Sequence, residues 1–190
     1  MKNTNIQWTH HTLNFWWGCD KISPACTNCY AQTVAKVFGK RLFGQVLEWG
    51  QGKPRFERLQ AARKEALALN KSAQKAADKW EQETATLLAR GSVNPTPKPT
   101  RPRVFVNSMS DWLDEEVPIE WLAYLLDTLS HCQHLDFQLL TKRPENWLPR
   151  LKLACDFALT PTAPSQYGSH WLSGKPPRNL WLGTTIESQE

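Results

Sequence analysis

The chain contains no apolar run near the roughly 18 residues that a membrane-spanning helix needs. Its first residues, "MKNTNIQWTHH", lack the charged-then-apolar order of a secretory signal. Cysteine is sparse, with five in 190 residues, and three of the five (Cys19, Cys26 and Cys29) fall within the single stretch "GCDKISPACTNCY". No fourth cysteine accompanies them. Three thiols are one short of a closed structural zinc site and an odd number for disulfides. These absences argue against a spanning helix and against a secreted, disulfide-stapled domain. The expected location is the cytoplasm, with no membrane partner, and there clustered thiols more often bind metals or act in catalysis than form bridges.

What is present suits one domain, or one domain with a large insertion. Hydrophobic residues make up 41% of the chain, and ten tryptophans add large apolar area for a core. The net charge of +5 is uneven. Between Lys53 and Arg101 there are eleven Lys and Arg against five Asp and Glu, and the rest of the chain is close to neutral. Nucleic acid or an acidic partner can use such a segment. A solvated helix face is the commoner explanation of such a segment.

Hydrophobic spacing supplies the elements. "CYAQTVAKVFGKRLFG" predicts a short helix that ends near Gly39 or Gly44. Phe56, Leu59, Ala62, Ala66, Leu69, Ala73, Ala76, Trp80, Thr84 and Leu87 recur by threes and fours, which predicts one continuous helix within Lys53–Gly91. It is read as an insertion (53–91) lying over, or projecting from, a main domain of residues 1–52 and 92–190. The four-proline stretch "NPTPKPTRP" closes it. The pattern then alternates. "RVFVN", "DFQLLT" and "NLWLGT" read as buried strands, and "VPIEWLAYLLDTLSHC" reads as an amphipathic helix. "RPENWLPRLKLA" reads as a helix broken at Pro149. The expected fold is α/β with a parallel sheet.

Polar residues follow each strand directly. Asn107, Ser108 and Asp111 follow the first, Lys142 and Arg143 the second, and Thr184 and Glu187 the third. Parallel α/β folds bind ligands at that edge, although helix capping can account for any one position. In the cysteine cluster the spacing is Cys-x6-Cys-x2-Cys, with a helix predicted to start near Cys29, where its dipole favours thiolate charge. Three thiolates on a four-iron cluster leave one iron open to a small molecule. The alternative metal is zinc, with His10 or His11 completing a Cys3His site. Cys132 and Cys155 read as isolated thiols, and His131 and His134 as helix-end capping groups.

The segments "IQWTHHTLNFWWGCDKISPACTNCYA", "RPRVFVNSMSDW", "FQLLTKRPENW" and "NLWLGTTIESQ" together resemble a radical-SAM-like family found in phages and prophages. The resemblance covers residues 5–38 and 101–189 and implies a partial (β/α) barrel of radical SAM type with about four parallel strands and a long helical insertion. It implies a [4Fe-4S] cluster held by Cys19, Cys26 and Cys29, with S-adenosylmethionine chelating the open iron and being cleaved reductively to a 5'-deoxyadenosyl radical. Asn107, Ser108 and Asp111 would then meet the methionyl amine, Lys142 and Arg143 a carboxylate or phosphate, and Thr184 or Glu187 the ribose. The loop between the first two cysteines is longer than the common Cys-x3-Cys-x2-Cys, and the strand count falls short of a full barrel. A shortened barrel is therefore expected to leave an open sheet edge, which a second copy of the chain, another partner or the 53–91 helix could cover.

Two functional classes follow. One is an enzyme acting through the cluster on a nucleic-acid-related substrate. The other is a non-catalytic phage protein, with or without a stabilising zinc, that sits in the host cytoplasm. It would bind nucleic acid, or bind and inhibit a nucleic-acid-binding host defence complex, through Lys64, Lys71, Lys75 and Lys79.

Overall fold

The structure is a computed structural model that describes residues 4–91, 96–157, 168 and 170–185. In chain order its main elements are β1 (His11–Leu13), β2 (Trp16–Trp17), α1 (Tyr30–Phe43), β3 (Phe56–Glu57) and α2 (Leu59–Ala89). They continue with β4 (Arg103–Val106), α3 (Ile119–Ser130), β5 (Asp136–Thr141), α4 (Trp147–Asp156) and β6 (Leu180–Thr184). The molecule is mixed α/β. Four strands form an open parallel sheet in the order β1-β4-β5-β6, which does not close into a barrel. β2 and β3 make a separate antiparallel pair.

The sheet order follows the chain order, so each crossover moves one strand further in the same direction. Right-handed crossovers of that kind stack their helices on one face, and α3 packs against both α2 and α4. Alternation along the strands then separates two environments. Val104, Val106, Phe137 and Leu139 are fully buried against Leu122, Leu125, Leu126 and Leu129 of α3. Between them, Phe105, Gln138 and Leu140 point to the other face, where Leu140 is 38% exposed.

The sequence located β4, β5 and β6 but not β1, whose three residues are too few to show a period. Its place is set by pairing: His11, Thr12 and Leu13 lie against Val104, Phe105 and Val106. α1 runs to Phe43, and Gly44, with φ 71°, ends it by donating its N–H to the Lys40 carbonyl at 3.0 Å. Gly39 lies inside the helix, buried beside Leu47. Pro149 does not break a helix. It sits in the first turn of α4, after a short 3-10 turn at Pro144–Asn146, where a missing N–H costs no intrahelical bond.

α2 has 31 residues, about 46 Å of helix. It starts at Leu59 because Phe56 and Glu57 are taken up by pairing with β2. Ala62, Ala66 and Leu69 are buried in the main core, so the first part of this helix is also the crossover between β1 and β4. Its packing partners are α3 and β1, at the other side of the sheet from β6, so it does not cover the β6 edge. Further along, Ala73, Trp80, Thr84 and Leu87 are only half-buried. There the proline-rich linker runs back along the helix. The Trp80 indole donates to the Thr96 carbonyl at 2.7 Å, and the Lys98 ammonium lies 5.5 Å from the Trp80 ring centre.

A buried ion pair fastens the loop before α2. Arg55 Nε and Nη2 reach Asp114 Oδ2 at 2.8 and 2.7 Å, and Nη2 reaches Glu116 at 2.9 Å. Its Nη1 donates to the carbonyls of Gly50 and Lys53. Gly18 has φ 111° and lies under the Arg55 side chain, so a Cβ there would be 3.1 Å from Arg55 Cδ. Only glycine fits both conditions comfortably.

Candidate functional site

Four segments converge over the C-terminal ends of the parallel strands. They are the loop after β2, the start of α1, and the turns that leave β4 and β5. They enclose a cavity of about 470 Å³ lined by Cys19, Cys26 and Cys29 together with Trp8, Tyr30, Trp49, Phe105, Leu140, Lys21 and Lys142. All three thiols are free and half-buried. Cys26 lies in a 3-10 turn at Pro24–Asn28, and Cys29 is the N-cap of α1, as its spacing predicts. One short loop thus brings three thiols to the sheet edge where α/β folds bind ligands.

Their surroundings differ. Burial pushes Cys19 up to about 11, against the opposing pull of the Arg143 guanidinium, whose Nη1 lies 3.5 Å from Sγ. Burial works the same way on Cys26, but the Ser23 hydroxyl at 3.3 Å, the backbone of Ile22 and Ser23, and the charge of Lys142 outweigh it. The Cys26 thiol is therefore held below its ordinary value. Tyr30 is pushed up by burial, in part offset by its 2.7 Å hydrogen bond to the Ser108 carbonyl.

The polar residues after β4 and β5 form a connected set. Asp111 accepts from Thr141 Oγ1 at 2.8 Å and Leu113 N at 3.0 Å on one oxygen. On the other it accepts from Lys142 N at 2.8 Å and Arg143 Nη1 at 3.2 Å. Four donors occupy this carboxylate, which ties the end of β5 to the turn after β4. Ser108 shares its hydroxyl with Asn14. Asn107 has φ 58°, donates its N–H to the Leu13 carbonyl and accepts from Phe15 N at 2.9 Å through Oδ1. These three residues line the cavity, but their hydrogen bonds serve to join β1, β4 and β5. Arg143 is likewise engaged with protein atoms, including the Asp20 carbonyl at 3.1 Å.

Of the residues read from the sequence, then, the three cysteines, Asn107, Ser108, Asp111, Lys142 and Arg143 meet around one cavity. Thr184 faces a different, apolar groove beside Trp112, Trp147 and Leu182, and its neighbour Thr185 lines the cavity instead. Glu187 lies outside the described residues. Lys64, Lys71, Lys75 and Lys79 are all exposed, on the side of α2 away from Ala62 and Ala66, and Lys79 pairs with Glu83 at 3.7 Å. Trp8, Trp49 and Phe105 also line the cavity and carry no local sequence signal as its walls, because their positions depend on packing across the sheet. Trp8 and Phe105 meet with their rings tilted by 54° and ring centres 4.8 Å apart.

The thiols fit an iron–sulfur cluster in donor chemistry and in their shared cavity. For a single metal ion, no group of three His, Cys, Asp or Glu side chains comes together among the described residues. His10 precedes β1 and His11 begins it, at the N-terminal edge of the sheet, and neither lines the cavity. His10 Nδ1 accepts the Arg103 N–H at 2.8 Å. A Cys3His zinc site using either histidine does not fit this arrangement.

Fold and site together define a parallel α/β protein with a thiol-lined cavity at its strand ends. A family profile described as "Protein of unknown function (DUF5131)" matches residues 3–190, and the chain belongs to that family. No curated protein and no solved structure matches the chain.

Proposed function

We propose that the chain is an iron–sulfur protein of radical SAM type, with a [4Fe-4S] cluster held by Cys19, Cys26 and Cys29 and S-adenosylmethionine as its small-molecule partner. One observation carries this reading: all three cysteines of the Cys-x6-Cys-x2-Cys loop line a single cavity at the C-terminal ends of the parallel strands. The strand order and the single helix layer support reading the sheet as part of a (β/α) barrel.

A bound cluster supplies the electron that breaks the sulfonium bond of S-adenosylmethionine. The chain's own residues hold and shield. The Cys26 loop presents its thiol near Lys142, whose charge favours the thiolate. Trp8, Phe105 and Leu140 form an apolar floor on which a nucleoside ring can rest. Lys142 and Lys21 line the same cavity and suit a carboxylate or phosphate.

Anaerobic reconstitution with iron and sulfide tests the reading. The expected product is brown, with about four irons per chain, and it loses its visible absorption on Cys19→Ala, Cys26→Ala or Cys29→Ala but not on Cys155→Ala. Calorimetry should then show cluster-dependent binding of S-adenosylmethionine, and reduction should release 5'-deoxyadenosine. A colourless protein holding one zinc would overturn the proposal.

A second reading, a contact surface for nucleic acid or a nucleic-acid-binding complex, is favoured by the exposed row Lys64, Lys71, Lys75 and Lys79 on α2. It is compatible with the first, since the row and the cavity occupy different parts of the molecule.

A further inference from the structure

We infer that Arg143 is the positioning residue of Cys19, fixing this one of the three thiols to the end of β5. The inference rests on the cluster proposed above for its metal-bound consequences, but not for its geometry.

The family resemblance offers Arg143 as a binder of a carboxylate or phosphate. The structure spends its guanidinium otherwise. Nη1 is shared between Cys19 Sγ at 3.5 Å and Asp111 Oδ2 at 3.2 Å, and Nη2 donates to the Asp20 carbonyl at 3.1 Å. Asp114 Oδ1 lies 4.0 Å from Nη2. The residue is 4% exposed. A planar fork can serve a sulfur, a carbonyl and a carboxylate at once, and a lysine ammonium cannot match that set.

The anchor of the fork is itself fixed. Arg143 N donates to Thr141 Oγ1 at 2.9 Å, and the same hydroxyl donates to Asp111. Cys19 and Asp20 are thus held to a residue 124 positions away in the chain. Neither of the other two thiols has an arginine partner among the described contacts. Cys26 is met by the hydroxyl of Ser23 from its own loop, and Cys29 stands at the N-cap position of α1, with no side-chain bond to the helix. The site is therefore asymmetric: one thiol is bound to the sheet edge and two are carried by the 3-10 turn and helix start.

Groups that hold a metal ligand from outside the coordination sphere typically change metal affinity about 10–100-fold when lost. Hydrogen bonds to cluster sulfurs also set reduction potential. The test compares the full-length chain with Arg143→Met and Arg143→Lys. In the metal-free proteins, hydrogen exchange read by mass spectrometry should quicken at Cys19–Lys21 in the methionine variant, with α1 unchanged. After reconstitution, a chelator should strip iron from that variant about 10–100-fold more readily, and the cluster potential should move negative. The lysine variant should recover part of each effect. Unchanged exchange at Cys19–Lys21 overturns the inference, as does an unchanged potential in a protein that has bound iron. Wild-type chain that takes up no iron sinks the cluster reading alone, and the exchange comparison then decides Arg143. If the methionine variant does not fold, Arg143→Gln, which removes the charge at similar length, carries the same measurements.

Discussion

The two faces of the parallel sheet are built from alternate residues of the same strands, yet they serve opposite ends. On the helix side, Phe137 and Leu139 are fully buried against α3. On the other side, Gln138 and Leu140 belong to an open surface that leads into the thiol-lined cavity. The packed core lies on one face and the cavity on the other. The Asp111–Thr141–Arg143 set at the strand ends is where they meet.

The sharpest test of that division is to cut the same strand on each face. Phe137→Ala is expected to destabilise the protein by about 3–5 kcal/mol, the usual cost of a large core truncation. Leu140→Ala should cost under about 1 kcal/mol, because its side chain is already partly in water. Chemical denaturation of the two variants measures both. Equal losses would mean that the open face is packed by something the isolated chain does not show.

Asp114→Ala probes the junction below the site. It leaves Arg55, whose side chain is almost fully buried, without its closest counter-charge. A loss of about 3–5 kcal/mol is expected, typical of breaking a buried pair from one side, and the same denaturation experiment reads it.

Thiol reactivity compares residues within the cavity. With Cys19 raised to about 11, only about one molecule in a thousand carries its thiolate at pH 8. Cys26 is held below its ordinary value. In metal-free protein, iodoacetamide should therefore label Cys26 well before Cys19, with Cys19 catching up as pH rises toward 11. Peptide mass spectrometry gives both rates, and Cys19 reacting first at pH 8 would contradict the burial described here. The raised values of Cys19 and Cys132 also carry a sign for stability. The folded state prefers the neutral thiols, so their contribution is complete below the ordinary value of 9.0 and is lost as pH rises to about 11.

The smallest expected effect concerns the α2 lysines. Reversing Lys64, Lys71, Lys75 and Lys79 to Glu should leave the melting temperature within a few degrees, since none contributes to the core. If the row contacts nucleic acid, the wild-type affinity should fall steeply with salt and the reversal should abolish it. Unchanged binding would assign the charge to solvation alone.

Much of this comparison was legible before the fold was known. Continuous apolar runs marked β4, β5 and β6, and the polar residues behind them marked the site edge. The close spacing of the three thiols carried them to one cavity because so short a loop cannot spread them far. Other features were hidden for physical reasons. β1 is held by its neighbour's hydrogen bonds rather than by its own pattern. Which of Thr184 and Thr185 faces the cavity is a matter of one residue of register. The contact between Arg143 and Cys19 spans most of the chain, and no local pattern announces it. The linear pattern of α2 likewise could not show that Ala62, Ala66 and Leu69 meet α3, because small residues signal close approach without naming the partner.

The pairing of β1 with β4 bears on how the molecule assembles in time. The bond from Phe15 to Asn107 joins residues 92 apart, whereas the bond from Thr141 to Asp111 joins residues 30 apart. Closing the longer loop costs about 1 kcal/mol more chain entropy, and the 31-residue α2 must be in place along the way. The unit β4-α3-β5 is thus expected to form early and β1 to dock onto it late. Because Cys19 follows β2 closely, the thiol-bearing loop reaches its anchor only in that last stage. A nascent or heat-perturbed chain would then present unprotected cysteines, so the protein's yield in air should depend on how quickly that final docking step is completed.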